Sequence, residues 1–200
     1  MNEEPFLTNG PIRNLSRIWR YSSFPLHEPE NVAEHNFWVA WNAMQIGHWL
    51  ESEDDKIMGE ESILQLDWQI IYELAIVHDF AECFTGDMIR PVKYSSPEFR
   101  EAYRKLEDQA VTELLPQLPE PVRKATFRRL GAQKVEKSLE VRIVKFADLL
   151  SVWNKLDEEA NIPNVQAQRQ QRVFINNYAQ TWTTDPDLGA LALEIFRGWI

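Results

Sequence analysis

An all-α fold follows from three features of this 200-residue chain: apolar residues recur at helical spacing, no segment alternates apolar with polar as a half-buried strand does, and punctuation is sparse, with 7 glycines and with prolines mainly at boundaries. The first ten residues form a loose lead-in. Ile12 to Tyr21 predicts a short helix, and the turn formers of Ser22 to Glu30 predict an irregular connection. Asn31 and Glu34 stand in the N-cap and N3 relation of a capping box, opening a helix from Val32 to about Leu50. The acidic run Glu51 to Glu61 reads as a solvated loop. Asp67 caps a helix from Trp68 to about Cys83, and Pro97 opens another that runs to Leu115, where Pro116, Pro119 and Pro121 punctuate its end. A short basic helix reaches Leu130 and stops at Gly131. Three more helices follow, over Val135 to about Ala160, Val165 to Trp182 and Leu188 to Ile200. With no repeat or linker in view, residues 1–200 are expected to form one helical-bundle domain, 161–200 supplying its C-terminal helices.

Composition narrows the function. At 44% hydrophobic and 26% charged residues the chain can bury a substantial core. A formal charge of -10 excludes a broad duplex-binding face, which needs clustered Lys and Arg, but leaves room for a small anion in a locally basic pocket. Cys83 is the only cysteine, so no intrachain disulfide forms. No run approaches the roughly 20 apolar residues of a membrane helix, and Met1 to Gly10 lacks the order of a signal peptide. A cytoplasmic location is expected, and the Arg123, Lys124, Arg128 and Arg129 cluster reads as a solvated helix face. The tryptophans, among them Trp38, Trp41, Trp49, Trp68 and Trp153, read as core or oligomer packing.

Polar residues inside the apolar stripes carry the chemistry. His78 continues the row Ile71 and Leu74, with Glu82 four residues on; Asp148 interrupts Val141, Val144 and Val152; His35 heads Val39, Ala43 and Ile46. Asp79, about 100° around from His78, reaches a common point with it only near a helix end. Carboxylates turned into an apolar interior need a counter-charge, and a divalent metal bound by His35, His78, Asp79 and Asp148 satisfies all four.

In this order those residues resemble the HD-domain metal-dependent phosphohydrolases. Asn31 to His35, Val77-His78-Asp79 with Ala81-Glu82, Thr85-Gly86-Asp87, Pro91 to Tyr94 and Val144 to Asp148 are similar to the HD-domain 5'-deoxynucleotidases, and also to phage-type HD-domain dATP triphosphohydrolases. The resemblance implies a divalent cation, Co²⁺, Zn²⁺, Mn²⁺ or Fe²⁺ in preference to Mg²⁺, that supplies a hydroxide near neutral pH and polarises a phosphoryl oxygen. It implies that Glu82 acts as general acid/base and that Asp87 meets the leaving group or the sugar 3'-hydroxyl. Arg20 and Lys93 would hold phosphate oxygens, Arg20 through its bidentate fork. Tyr21, Ser23 and Pro91 would border the sugar and base. The chain departs from the family at Tyr21, where a tryptophan usually stands, which leaves sugar discrimination open.

The resemblance thus implies hydrolysis of the phosphate groups of a small 2'-deoxynucleotide by a homo-oligomeric enzyme, with monophosphate and triphosphate substrates both open. The alternative is a metal-bound helical module that binds a nucleotide or a protein without turnover; retention of Glu82 and Asp87 favours the enzyme.

Overall fold

A computed structural model describes residues 10–58, 64–135 and 137–199. Among them the regular structure is helical apart from one isolated antiparallel bridge, Trp19 to Asn31. A 3₁₀ turn over Gly10–Arg17 precedes α1 (Val32–Met58), α2 (Trp68–Val77), α3 (Glu82–Thr85), α4 (Arg90–Lys93) and α5 (Pro97–Leu114). After a 3₁₀ turn at Leu115–Gln117 come α6 (Glu120–Val135), α7 (Leu139–Asn161) and α8 (Val165–Phe174); a π-helical turn, Ile175–Ala179, joins α8 to α9 (Gln180–Trp182), and α10 (Gly189–Ile195) ends the bundle.

The centre is α1 packed against α7, with α2 against both. α1 starts where its capping box predicts. The Glu34 amide donates to Asn31 Oδ1 and the Asn31 amide to Glu34 Oε2, each at 3.0 Å. Its buried residues Val32, His35, Asn36, Val39, Ala43, Ile46 and Leu50 recur three and four apart. α2 crosses closely at Gly47, where a Cβ would stand 2.6 Å from the Trp68 ring, so this position admits only glycine without a shift. Asp67 caps α2 as expected, accepting from the Ile70 amide at 3.1 Å.

The C-terminal helices complete the core through aromatic contacts. Trp153 of α7 meets Phe174 and Phe196 at ring separations of 5.6 and 5.5 Å, and Phe146 packs on Trp182 at 5.1 Å. Phe146 is fully buried. Phe146→Ala is therefore expected to lower unfolding free energy by about 3–5 kcal/mol in denaturant titration, the range for deleting a buried aromatic ring.

Several boundaries differ from the sequence reading. Ile18 to Tyr21 are not helical, because this segment pairs with the entry to α1: the Val32 amide donates to Ile18 O and the Arg20 amide to Glu30 O. α1 continues through Glu51 to Met58, where the expected loop lay; the Trp68 indole donates to Glu51 and the Leu64 amide to Asp54, so acidic side chains on this turn cap their neighbours. Residues 59–61 of that expected loop fall outside the described residues. Gly131 does not stop α6, whose buried Leu130 and Ala132 carry it to Val135 across a glycine cost of about 1 kcal/mol. α7 begins at Leu139, capped by Ser138, rather than at Val135. Arg129 is buried and donates to Glu73 at 2.8 Å, tying α6 to α2 instead of facing water. Core packing holds for Trp153, but Trp38 and Trp41 are nearly half exposed on α1.

Candidate metal and phosphate site

α2 ends sooner than periodicity predicts, and that termination builds the site. The i to i-4 ladder runs to the His78 amide, after which Phe80 bonds back to Val77 and Glu82 to Asp79, a tightening to i-3 that swings Asp79 round beside His78. α3 follows for one turn. Gly86 caps it at φ +71°, a left-handed conformation open to glycine at little cost, and turns the chain into Asp87.

His35, His78 and Asp79 each present a ligand atom within 4.8 Å of the others. Asp79 Oδ2 lies 3.2 Å from His78 Nε2 and 3.6 Å from His35 Nε2, and Asp148 Oδ1 lies 3.1 Å from His35 Nε2. α1, the end of α2 and α7 thus bring all four predicted ligands together, with Asp148 joining through His35.

The outer ring nitrogens are anchored. His78 Nδ1 donates to the Ala75 carbonyl at 2.8 Å, and His35 Nδ1 meets Ser151 Oγ at 3.1 Å, so both Nε2 atoms face the cluster. His78 Nε2 is buried with no hydrogen-bond partner among the described residues. Its one close polar neighbour among those residues is Asp79 Oδ2 at 3.2 Å, an ion-pair contact without hydrogen-bond alignment; two imidazole nitrogens and two carboxylates gathered in this way are a donor set that fits a divalent metal.

The electrostatics agree. Burial and the Arg20 guanidinium push His35 down to about 4, leaving it neutral as a ligand must be. For His78 burial works the other way from its neighbours: Asp79 and Asp148 overcome it and raise the group to about 9 in the absence of a cation. Despite its burial, Asp79 is held well below the usual carboxylate range by His78, His35 and Arg20. The cluster therefore stabilises one positive charge, and a metal would take the place of a proton.

Around it lie the other predicted residues. Burial, then the carboxylates of Asp79 and Asp87, raise Glu82 well above its ordinary range. Asp87 is raised by burial, while Arg20 and the Tyr21 amide, which donates to it, pull the other way. That tie accompanies an unusual backbone: Tyr21 has φ 59°, a left-handed conformation costing roughly 1–2 kcal/mol in a non-glycine residue. Its buried hydroxyl has no hydrogen-bond partner among the described residues.

Arg20 is buried with its Nε 3.9 Å from Glu30 Oε1, and its Nη1 has no hydrogen-bond partner among the described residues. The negative charges of Asp79, Asp87 and Asp148 all act on it. Lys93 pairs with Glu107 at 2.7 Å and lies over the Tyr103 ring, whose hydroxyl donates to Thr85 Oγ1 and Gly86 O. Pro91, in α4, and Ser23 are exposed, and no hydrogen bond or ion pair joins either to the cluster among the described residues.

Sequence reasoning missed Ser151, Glu30 and Glu107, whose partners lie 116, 10 and 14 residues away. Ser151 had one available signal, its position one turn beyond Asp148. A cavity of about 320 Å³ lies on the Ser151 side of His35, between Trp38, Trp41, Glu30 and Lys155, and includes none of the four cluster residues.

This arrangement of helices around a His, His-Asp and Asp cluster is the fold of the HD-domain phosphohydrolases. Such an enzyme from Listeria innocua superposes with a TM-score of 0.72 at 20% identity, over 92% of this chain and 83% of that one. A cyanophage S-2L HD phosphohydrolase, bound to dA and one catalytic Zn²⁺ ion, gives 0.65 at 20% identity over 95% and 94%. The profile of the YfbR-like 5'-deoxynucleotidases matches residues 9–183, and the chain belongs to that family. It is 32% identical to the 5'-deoxynucleotidase of Vibrio cholerae over 88% of its length and 85% of the relative's. A second 5'-deoxynucleotidase, from Photobacterium profundum, is 34% identical over 81% and 79%.

Proposed function

We propose that this protein removes phosphate from 2'-deoxynucleoside 5'-monophosphates by metal-assisted hydrolysis. The observation that carries the reading is the convergence of His35 Nε2, His78 Nε2 and the Asp79 carboxylate within 4.8 Å, with Asp148 beside His35, in a chain whose relatives are 5'-deoxynucleotidases. His35, His78, Asp79 and Asp148 hold a divalent cation, for which Co²⁺, Zn²⁺, Mn²⁺ and Fe²⁺ suit the mixed nitrogen and oxygen donors. When bound, such a cation lowers the pKa of a water and polarises a phosphoryl oxygen. Arg20 offers its unpaired Nη1 to the phosphate, and Lys93, paired with Glu107, adds a second cationic group. Glu82 exchanges a proton with the water or the leaving oxygen, and Asp87 receives the sugar hydroxyl. Tyr21 crowds the sugar, with Ser23 and Pro91 at the base. Triphosphate release from a deoxynucleoside triphosphate is the second reading; the phage phosphohydrolase of the same fold, bound to dA, supports the deoxynucleoside part that both readings share.

Among the described residues no helix is long and apolar enough to cross a membrane. A homo-oligomer is supported by the exposed aromatic face of Phe37, Trp38 and Trp41 on α1, and a cytoplasmic site by the lone buried thiol of Cys83.

Incubation with separate panels of deoxynucleoside mono- and triphosphates, followed by chromatography, is expected to yield inorganic phosphate from monophosphates. Chelation should abolish release and Co²⁺, Mn²⁺ or Zn²⁺ restore it. Tripolyphosphate as the product would select the second reading, and no product with metal-loaded protein would overturn both.

A further inference from the structure

Glu159, near the C-terminal end of α7, is 1% exposed yet has no part in the metal cluster. Four donors converge on its carboxylate. The His27 amide reaches Oε2 at 2.8 Å and the Glu28 amide reaches Oε1 at 3.0 Å, while Asn164 Nδ2 and Lys155 Nζ stand 3.0 and 3.3 Å away. Asn164, which caps α8, also donates to the Pro25 carbonyl at 3.1 Å. The joint between α7 and α8 therefore grips the connection 22–30 by its backbone at three places.

That connection has no helix or strand of its own, and the Phe24 amide donates back to Tyr21 O just before it. Its two ends are the phosphate arm and its support. At one end stand Arg20 and Tyr21; at the other is Glu30, buried, whose carbonyl accepts from the Arg20 amide at 2.9 Å and whose carboxylate lies beside Arg20 Nε. Backbone pairing already ties the main chain of Glu30 to Arg20, through the Arg20 amide and the Trp19 to Asn31 bridge; the grip at residues 25, 27 and 28 adds the restraint on the approach to Glu30, whose carboxylate is the neighbour of Arg20 Nε.

We propose that Glu159 is a positioning residue for substrate phosphate: by clamping the backbone of residues 25–28 it fixes Glu30, and through Glu30 the orientation of the Arg20 guanidinium. This rests on the reading of Arg20 as the phosphate-binding arginine.

Glu159→Gln keeps the side-chain shape but replaces one accepting oxygen by an NH₂ that opposes an amide donor. It is expected to raise KM for a deoxynucleoside monophosphate about tenfold or more, the effect of weakening one charged hydrogen bond, with kcat within about threefold and bound metal unchanged. In an Arg20→Ala background it should add nothing further, because the positioned group is already gone. A fall in kcat with loss of metal, an unchanged KM, or additivity with Arg20→Ala would overturn the inference.

Should the variant fail to fold, wild-type protein decides by amide hydrogen exchange. Binding of a deoxynucleoside monophosphate is expected to slow exchange at His27 and Glu28, and Arg20→Ala should remove that protection; protection that persists without Arg20 would overturn the coupling. A wild type inactive on every monophosphate would defeat the functional reading and this inference together, whereas an active wild type with an unmoved KM in Glu159→Gln defeats this inference alone.

Discussion

Asp148→Ala is expected to strip the protein of its metal and reduce turnover by three orders of magnitude or more, on the order of the several kcal/mol that a catalytic cation supplies. Asp148 sits on α7 between buried Ala147 and Leu149, with Oδ1 3.1 Å from His35 Nε2, and is the only predicted ligand that α7 contributes. Its loss removes one donor and one of the two negative charges that balance the cation. It also leaves His35 Nε2 without its nearest oxygen. Adding Zn²⁺ or Co²⁺ to the wild type should raise the unfolding midpoint, since a ligand at 100 times its Kd stabilises by about 2.7 kcal/mol. The variant should show no such rise. Elemental analysis, initial rates and thermal melts give three separate readouts, and a variant that keeps both metal and rate would remove Asp148 from the coordination scheme.

Glu82→Gln is expected to retain metal and lose about 100-fold or more in kcat, the usual contribution of a positioned acid or base. Glu82 lies on the single turn of α3, where burial and the charges of Asp79 and Asp87 raise its pKa while Arg20 and Lys93 oppose them. A carboxyl in that field can move a proton beside the reacting phosphate without being a ligand. The amide of glutamine preserves the shape and cannot carry the proton. Metal content separates the two roles: a variant that loses metal makes Glu82 a ligand, and one with an unchanged rate makes it a bystander.

The elements that local rules govern were legible in the chain. Asn31 with Glu34 fixed the start of α1, Asp67 that of α2 and Pro97 that of α5, because capping and proline geometry depend on residues three or four apart. The inward rows carrying His35, His78 and Asp148 were legible for the same reason. Helix ends were less so. Nothing local announces that the ladder of α2 tightens after Val77, or that Glu51 and Asp54 keep α1 helical by meeting Trp68 and Leu64.

By itself the sequence determined an all-helical bundle and the residue types that meet at its centre, because hydrophobic periodicity dictates which side chains must leave water together. It also pointed to the family, through motifs short enough to read along one chain. The tertiary structure alone decided how those groups face one another: which imidazole nitrogen is left open, how Asp79 comes round to His78, and that Ser151, Glu30 and Glu159 support the site. Contacts such as His27 to Glu159, spanning 132 residues, depend on how α1, α7 and α8 pack, and a pattern confined to one turn of helix holds no record of them.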